Sequence, residues 1–507
     1  MLLVRLLRDD GAVVFLNGTE IARSNMGAGT VDHQTLALSE LHGRSEGGWI
    51  QVRAPSTALV EGRNVLAVEV HQATANNPDL SFDCELVGSR LGEPAFIVRG
   101  PYLQSVGSDG ATICWRTDVP TASSVHWGRR PRSTPHVVTS DVETTDHKLR
   151  VSGRRGDSRH YYAVGDGSRK IGGGNRQHLF RTNTYPGVEK PLRIWVIGDS
   201  GTGGDGTGRA EAVRDGFLKW RHYSPPDLWL MLGDNAYEVG TDFEHQGAVF
   251  ETYRKLLPST PLWPTLGNHE TYSGTGIPYL DIFALPANGE AGGVPSGTER
   301  YYSFDQSNVH FVCLDSMTSD RRPGRPMLTW LENDLAATTQ QWVVAFWHHP
   351  PYTKGSHNSD AEGELIEMRQ YVVPVLERHG VDLVLAGHSH SYERSFLIDG
   401  HYGASNTLRP SMIRDAGDGS EEGDGPYTKT VREHGGAVYT VCGVSGKVSG
   451  GSFNHPVMVT SMAVLGSMVL DINGDELRAV FIDNLSTERD QFTIRKAGAE
   501  PPATAPN

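Results

Sequence analysis

Apolar and polar positions alternate in short runs through the first third of the chain, and the period then changes. "AVVFLNG" and "NVLAVEVHQ", separated by turn residues, predict an all-β sandwich over residues 1–92. "ATICWRTD", "SSVHWG", "HKLRVSG" and "HYYAVGDG" predict a second β-sandwich over 93–186. From 187 to 496 short, nearly continuous apolar runs alternate with helical patterns: "RIWVIGD", "DLWLMLGD", "LWPTLGNHE", "NVHFVCLD", "WVVAFWHHP" and "VDLVLAGHSH". Such runs indicate strands buried on both faces, hence a layered α/β domain of αββα type. "GAVYTVCGVSG", "GSMVLDING", "ELRAVFID" and "DQFTIRK" return to antiparallel alternation and are expected to complete the sheet from its other side. The Pro-rich tail, 497–507, is expected to be disordered.

Composition narrows this picture. A chain of 507 residues exceeds one ordinary core, so several domains are expected. A net charge of −14 argues against nucleic acid or an anionic membrane as partner, since both need a basic surface. No apolar stretch is long enough to span a bilayer. The four cysteines, Cys84, Cys114, Cys313 and Cys442, are widely spaced, which indicates neither a disulfide framework nor a thiolate zinc site. Trp115 beside Cys114 has no second cysteine at antibody-like spacing and reads as ordinary core. The start, "MLLVRLLRDDG", reads as a strand rather than a secretory signal and suggests missing upstream sequence.

The chemistry lies at the strand ends. Five of the α/β strands run into Asp199, Asp234 with Tyr237, Asn268-His269, His348-His349 and His388-Ser389-His390. Taken singly, an aspartate or histidine after a strand is turn chemistry. Taken together they converge, because ligands in open α/β sheets bind outside the carboxyl ends of the strands. "GHSH" adds two histidines at i and i+2, expected on one side of an extended segment. Carboxylate, amide and imidazole without cysteine suit iron, manganese or zinc. Two such ions would hold a phosphoryl oxygen and produce hydroxide near neutral pH, the chemistry of phosphate-ester hydrolysis.

"GDSG", "GDNAY", "GNHE", "WHHPP" and "GHSHSYER" resemble, in order, the blocks of the metallophosphoesterase (calcineurin-like phosphoesterase) superfamily. Tyr237 and the GHxHxYER ending resemble its purple acid phosphatase branch, which also carries a fibronectin type III-like domain matching 93–186. The resemblance implies that Asp199, Tyr237 and His390 hold a ferric ion. Asn268, His348 and His388 would hold a divalent iron, zinc or manganese ion, and Asp234 would bridge the two. His349 would be a neighbour rather than a ligand. His269 and His357 would touch the phosphate and protonate the leaving alkoxide, although Asn358 stands where plant-type members have a second histidine. "DDGAVVFLNGTEIAR" resembles a galactose-binding-like module, partial at its start, which implies carbohydrate as a further partner.

Three readings compete. The first is an acid phosphatase acting on phosphate monoesters, of extracellular or periplasmic location. The second is a phosphodiesterase of the same superfamily acting on nucleotide or lipid diesters, with 400–428 as a rim of the pocket. The third is a carbohydrate-binding protein with an inactive metal site. "GTGGDG" at 201–206 matches a dinucleotide loop, but the later metal motifs have no role in such a fold. Oligomeric state is not legible.

Overall fold

The computed structural model describes residues 2–41, 50–76, 80, 82–88, 95–272, 276–430 and 434–496; the expected disordered tail lies outside them. The chain forms two compact units, 1–96 and 97–507.

In the first unit, Leu2–Arg8 alternates between buried and half-exposed, as an antiparallel strand with one covered face must. It lies between Ile50–Ala54 and Phe82–Gly88. A second three-stranded sheet places Gly11–Leu16 between Thr19–Ser24 and Leu66–His71. Val4, Leu6, Val14 and Leu16 form the core between them.

The second unit opens with an antiparallel sheet built on the long strand Ala111–Gly128, flanked by Ile97–Gln104, His136–Val151 and Arg159–Gly165. Trp115, Trp127, Tyr162 and Phe180 fill its core, and Cys114 is a free, buried thiol.

Two seven-stranded sheets follow. The first runs Leu262–Pro264, Leu228–Met231, Leu192–Ile197, Gly466–Asn473, Glu476–Asp483, Glu488–Lys496, Tyr427–Lys429. The second runs Tyr302–Gln306, Val309–Cys313, Trp342–Trp347, Leu383–Ala386, Val438–Cys442, Tyr392–Ser395, Met458–Met462. Each holds a parallel core, and the antiparallel strands after 466 extend the first sheet beside Leu192–Ile197. Val438–Cys442 fits the expected antiparallel set on one side only: it pairs antiparallel with Tyr392–Ser395 and parallel with Leu383–Ala386. It is buried at every position, so no solvated face imposes alternation on its sequence. The five strands that carry the candidate ligands divide between the sheets, three in the first and two in the second.

Candidate metal centre

Three of the five ligand-bearing loops leave their strands through a tight turn. Asp199, Asp234 and His388 have φ of 54°, 51° and 66°, a left-handed conformation uncommon for side chains other than glycine. Such positions persist only where the surroundings over-determine them. Here the loops brace one another: the Asp199 N–H donates to the Gly233 carbonyl (3.1 Å) and the Gly201 N–H to the Asp234 carbonyl (3.0 Å). The preceding glycines leave room for this. A Cβ on Gly233 would stand 2.6 Å from His348 Nδ1, and one on Gly267 would collide with the Asp234 carboxylate.

The seven expected ligands come together as two sets of converging atoms. Asp199 Oδ1, Tyr237 Oη and His390 Nε2 form a triangle with sides of 3.3, 3.4 and 3.5 Å. Asn268 Oδ1, His348 Nε2 and His388 Nδ1 form a second, with sides of 3.0, 3.2 and 3.2 Å. Asp234 Oδ1 lies 3.4 Å from His348 Nε2, and Asp199, Asp234 and His348 each place a ligand atom within 4.8 Å of the others. Asp199, Asp234, Tyr237, His348 and His388 are buried; Asn268 and His390 are partly exposed. "GHSH" works differently from its expectation. The left-handed turn at His388 breaks the extended segment, so its two histidines serve different triangles.

The second triangle fits a cation because its members all present lone pairs inward. His348 Nδ1–H donates to the Leu232 carbonyl at 2.8 Å, which leaves Nε2 without a proton. His388 Nε2–H faces Glu362 Oε2 at 3.4 Å, which leaves Nδ1 as the acceptor. Asn268 Nδ2 donates to the Tyr272 hydroxyl, which turns Oδ1 to the site. Three acceptors facing one another need a positive charge between them. Metal–donor bonds of about 2.0–2.2 Å space neighbouring donors by about 3.0–3.5 Å, the separation seen in both triangles.

Electrostatics leads to the same place. Burial, then the charges of Asp199 and Asp234, push the Tyr237 phenol well above its usual value; a bound cation inverts that sign. Burial disfavours charge on Asp199, yet His390 and the other histidines hold its carboxyl down at about 2. Burial also opposes charge on His348, but Asp234 and Asp199 raise its pKa, so a proton and a metal ion would compete for one lone pair.

His269 and His357 flank the centre. The His269 ring donates from Nδ1 to the Glu238 carbonyl and turns Nε2 toward Asp234 Oδ2, 3.7 Å away. His357 Nδ1 meets Glu362 at 2.8 Å, and its ring lies 3.8 Å from that of His388. His349 is buried with Nδ1 on Ser316 Oγ at 2.9 Å; burial first, then neighbouring histidines, hold its pKa well below the usual range.

Three further side chains shape the site. Glu270 is fully buried and accepts the backbone N–H groups of Asp234, Asn235, Ala236 and Gly267, tying two ligand loops together. Burial, then the Asp234 charge, push its carboxyl up to about 8. Glu362 orients His388 and His357; burial opposes its charge, but these hydrogen bonds keep its carboxyl at about 2. Lys447 holds Nζ 3.7 Å above the centroid of the Tyr237 ring and 3.3 Å from Glu238. Glu270 stands inside "GNHE", two residues after Asn268, and was open to detection; Glu362 and Lys447 lie outside every motif.

Comparisons with known proteins follow this geometry. Residues 192–392 match the model of the calcineurin-like phosphoesterase family. Purple acid phosphatase 15 of Arabidopsis thaliana is 32% identical over 285 residues, covering 49% of this chain and 49% of the relative. Probable purple acid phosphatase 20 of the same plant is 28% identical over 315 residues, covering 58% and 68%. The chain thus spans between about half and two thirds of the curated relatives it matches. Among solved structures, the purple acid phosphatase PPD1 from yellow lupin superposes with a TM-score of 0.64 over 96% of this chain and 90% of its own, at 17% identity. PhoD superposes with a TM-score of 0.55 over 80% and 92%, at 12% identity. At such identities these superpositions speak for the fold: β-rich N-terminal regions followed by a metallophosphoesterase domain. Residues 192–392 thus carry a calcineurin-like phosphoesterase domain, and purple acid phosphatases are among the homologues of this chain.

Proposed function

We propose that this protein hydrolyses phosphate monoesters at a dinuclear metal centre. The observation that supports this most is the pair of donor triangles with Asp234 beside them. Asp199, Tyr237 and His390 hold one ion, which we assign as ferric because a phenolate is a hard anionic donor. Asn268, His348 and His388 would hold a divalent iron, zinc or manganese ion, and Asp234, beside His348 and Asp199, would serve both ions. When bound, the ions supply Lewis acidity toward the phosphoryl oxygens and lower the pKa of water.

The chain's own groups do the rest. His269, with Nδ1 committed to Glu238, offers Nε2 toward the phosphate. His357 stands beside His388, oriented by Glu362, and with His269 would deliver a proton to the leaving alkoxide. Acid assistance of this kind contributes typically ~10²–10⁴-fold. Asn358 beside it is exposed and donates its N–H to Glu362, so it steadies the carboxylate that orients His357. The 400–428 insert is fastened to the same loop, since Ser405 N–H donates to Asp360 at 2.8 Å. We place substrate choice on that rim.

The first unit we read as a galactose-binding-like module for carbohydrate, and 93–186 as a fibronectin type III-like domain preceding a catalytic domain at 187–496. An extracellular or periplasmic location accompanies this reading. No helix among the described residues is long and apolar enough to cross a membrane.

The test is a visible absorption spectrum on purified protein with iron, zinc and manganese quantified on the same sample. The reading expects a broad band that vanishes in Tyr237→Phe while iron stays bound, together with turnover of phosphate monoesters. A colourless protein that cleaves only diesters would replace it with a phosphodiesterase, and a metal-loaded protein without turnover would end the enzymatic reading.

A further inference from the structure

A second charged site lies away from the metal centre, on the antiparallel sheet at the start of the second unit. Arg129, Arg155, Arg159 and Arg181 line a cavity of about 520 Å³ together with Gly156, Asp157 and Ser158. The fold assembles it from separate stretches. Arg129 follows the strand Ala111–Gly128, whose end pairs with Tyr161 of Arg159–Gly165. Arg155 comes from the loop before that strand. Arg181 ends Leu179–Arg181 and sits directly opposite Arg159 in the antiparallel register.

Two features separate this cluster from an ordinary solvated face. Several arginines elsewhere are matched to carboxylates, among them Arg99 and Arg116 to Asp242, Arg193 to Asp471 and Arg394 to Asp490. Arg129, Arg155 and Arg159 have no carboxylate partner among the described residues, and the one acid in the cavity, Asp157, is already shared by Arg181 (2.6 Å) and Lys190 (2.7 Å). Like charges facing across a strand pair also cost stability, and Asp157 offsets that cost between Arg159 and Arg181 only in part, because Lys190 shares it. The local potential reaches the interior. Burial, then the charges of Arg129 and Arg154, hold His160 down at about 4.

We propose that this cavity binds a compact anion carrying two or more phosphate groups. Guanidinium forks match phosphate oxygens bidentately, and the volume falls in the range of small-molecule pockets, about 300–1,000 Å³. A bound anion would relieve the repulsion between Arg159 and Arg181. The site is independent of the phosphatase reading, because none of its residues reaches the metal centre.

Calorimetric titration tests it with two probes, methylenediphosphonate, whose P–C–P link resists hydrolysis, and inorganic phosphate. The proteins are the wild type, Arg155→Gln/Arg159→Gln and Asp234→Asn. Wild type and Asp234→Asn are expected to share a diphosphonate-binding event that the double arginine variant lacks or shows weakened about tenfold or more for each arginine removed. Binding at this event should weaken as salt rises. The substituted arginines are exposed, so unchanged thermal unfolding of the double variant keeps the comparison clean. Identical isotherms for wild type and double variant would overturn the proposal. Equal affinity for inorganic phosphate at that event would overturn its preference for several phosphate groups.

Discussion

Two buried histidine–aspartate clusters in the second unit look alike in composition and behave oppositely. At His310 both ring nitrogens are engaged, Nδ1 with Asp305 and Nε2 with Asp334, each at 2.8 Å. Asp334 takes further hydrogen bonds from Ser303 and the Val294 N–H. Burial opposes charge on this imidazole, yet the two carboxylates raise its pKa to about 9, so a protonated ring closes the cluster. At the metal centre the arrangement is inverted. Backbone and second carboxylate partners take the outer N–H of His348 and His388, and the inner nitrogens meet only acceptors. Burial and residue type do not separate a structural cluster from a metal site. The direction of the lone pairs does.

This contrast can be broken at several points. The largest effect is expected from Asp234→Asn, which removes the carboxylate beside both triangles. Changing a group behind a ligand costs about 10–100-fold in metal affinity or activity, so losing a ligand should cost more than ~10²-fold in phosphate-ester turnover. Metal analysis should show fewer bound ions with the fold intact by circular dichroism. A variant that keeps full metal and activity would remove Asp234 from the centre.

At the closed cluster the loss should appear in stability instead. His310→Leu leaves Asp305 and Asp334 facing each other without a cation, and breaking a buried pair in this way costs about 3–5 kcal/mol. Denaturant unfolding measures it, while turnover per folded molecule should be unchanged. The sign with pH is fixed. The folded-state pKa of about 9 lies above the ordinary 6.5, so the stabilisation is whole below about pH 6.5 and fades as pH rises through about 9. The gap between wild type and variant should therefore narrow in alkali; a constant gap would mean the imidazole is not the titrating cation.

Glu270→Gln lies between these cases, because the side chain braces the loops that hold Asp234 and Asn268 without touching the site. Metal affinity is expected to fall about 10–100-fold, with the affinity recovered at high metal concentration. Affinity equal to wild type in a metal titration would show that the four N–H bonds hold the loops regardless of charge. The smallest effect belongs to Lys447→Met. A cation over an aromatic ring contributes about 0.5–1 kcal/mol at a partly exposed site. Its loss should shift the visible band that the proposed Tyr237–iron bond predicts to longer wavelength with little change in turnover, and an unmoved band would place Lys447 with Glu238 alone.

Much of this site was legible beforehand because each ligand-bearing loop carries its own local signature. Glycine before Asp199, Asp234, Asn268 and His388 at the end of an apolar run reports a tight turn at a strand's carboxyl end, and the structure brings these four together with Tyr237, His348 and His390. Glu270 was overlooked although "GNHE" contains it, since a buried carboxylate bonded only to backbone N–H groups has no periodic signal. The antiparallel reading of Val438–Cys442 holds against Tyr392–Ser395 but not against Leu383–Ala386, and full burial erases the alternation that marks a strand with a solvated face.

The chain's local pattern by itself determined where strands end and which donors follow them, because hydrophobic period and turn chemistry act over a few neighbouring residues. Only the tertiary structure decided that three strands of one sheet and two of another deliver those donors to one place. It alone set which nitrogen of each histidine faces inward, since a carbonyl at Leu232 and a carboxylate at Glu362, distant in sequence, hold the outer protons. The four arginines of the second cavity depend on it too: strand register places Arg159 against Arg181, and no property of the intervening sequence specifies that encounter.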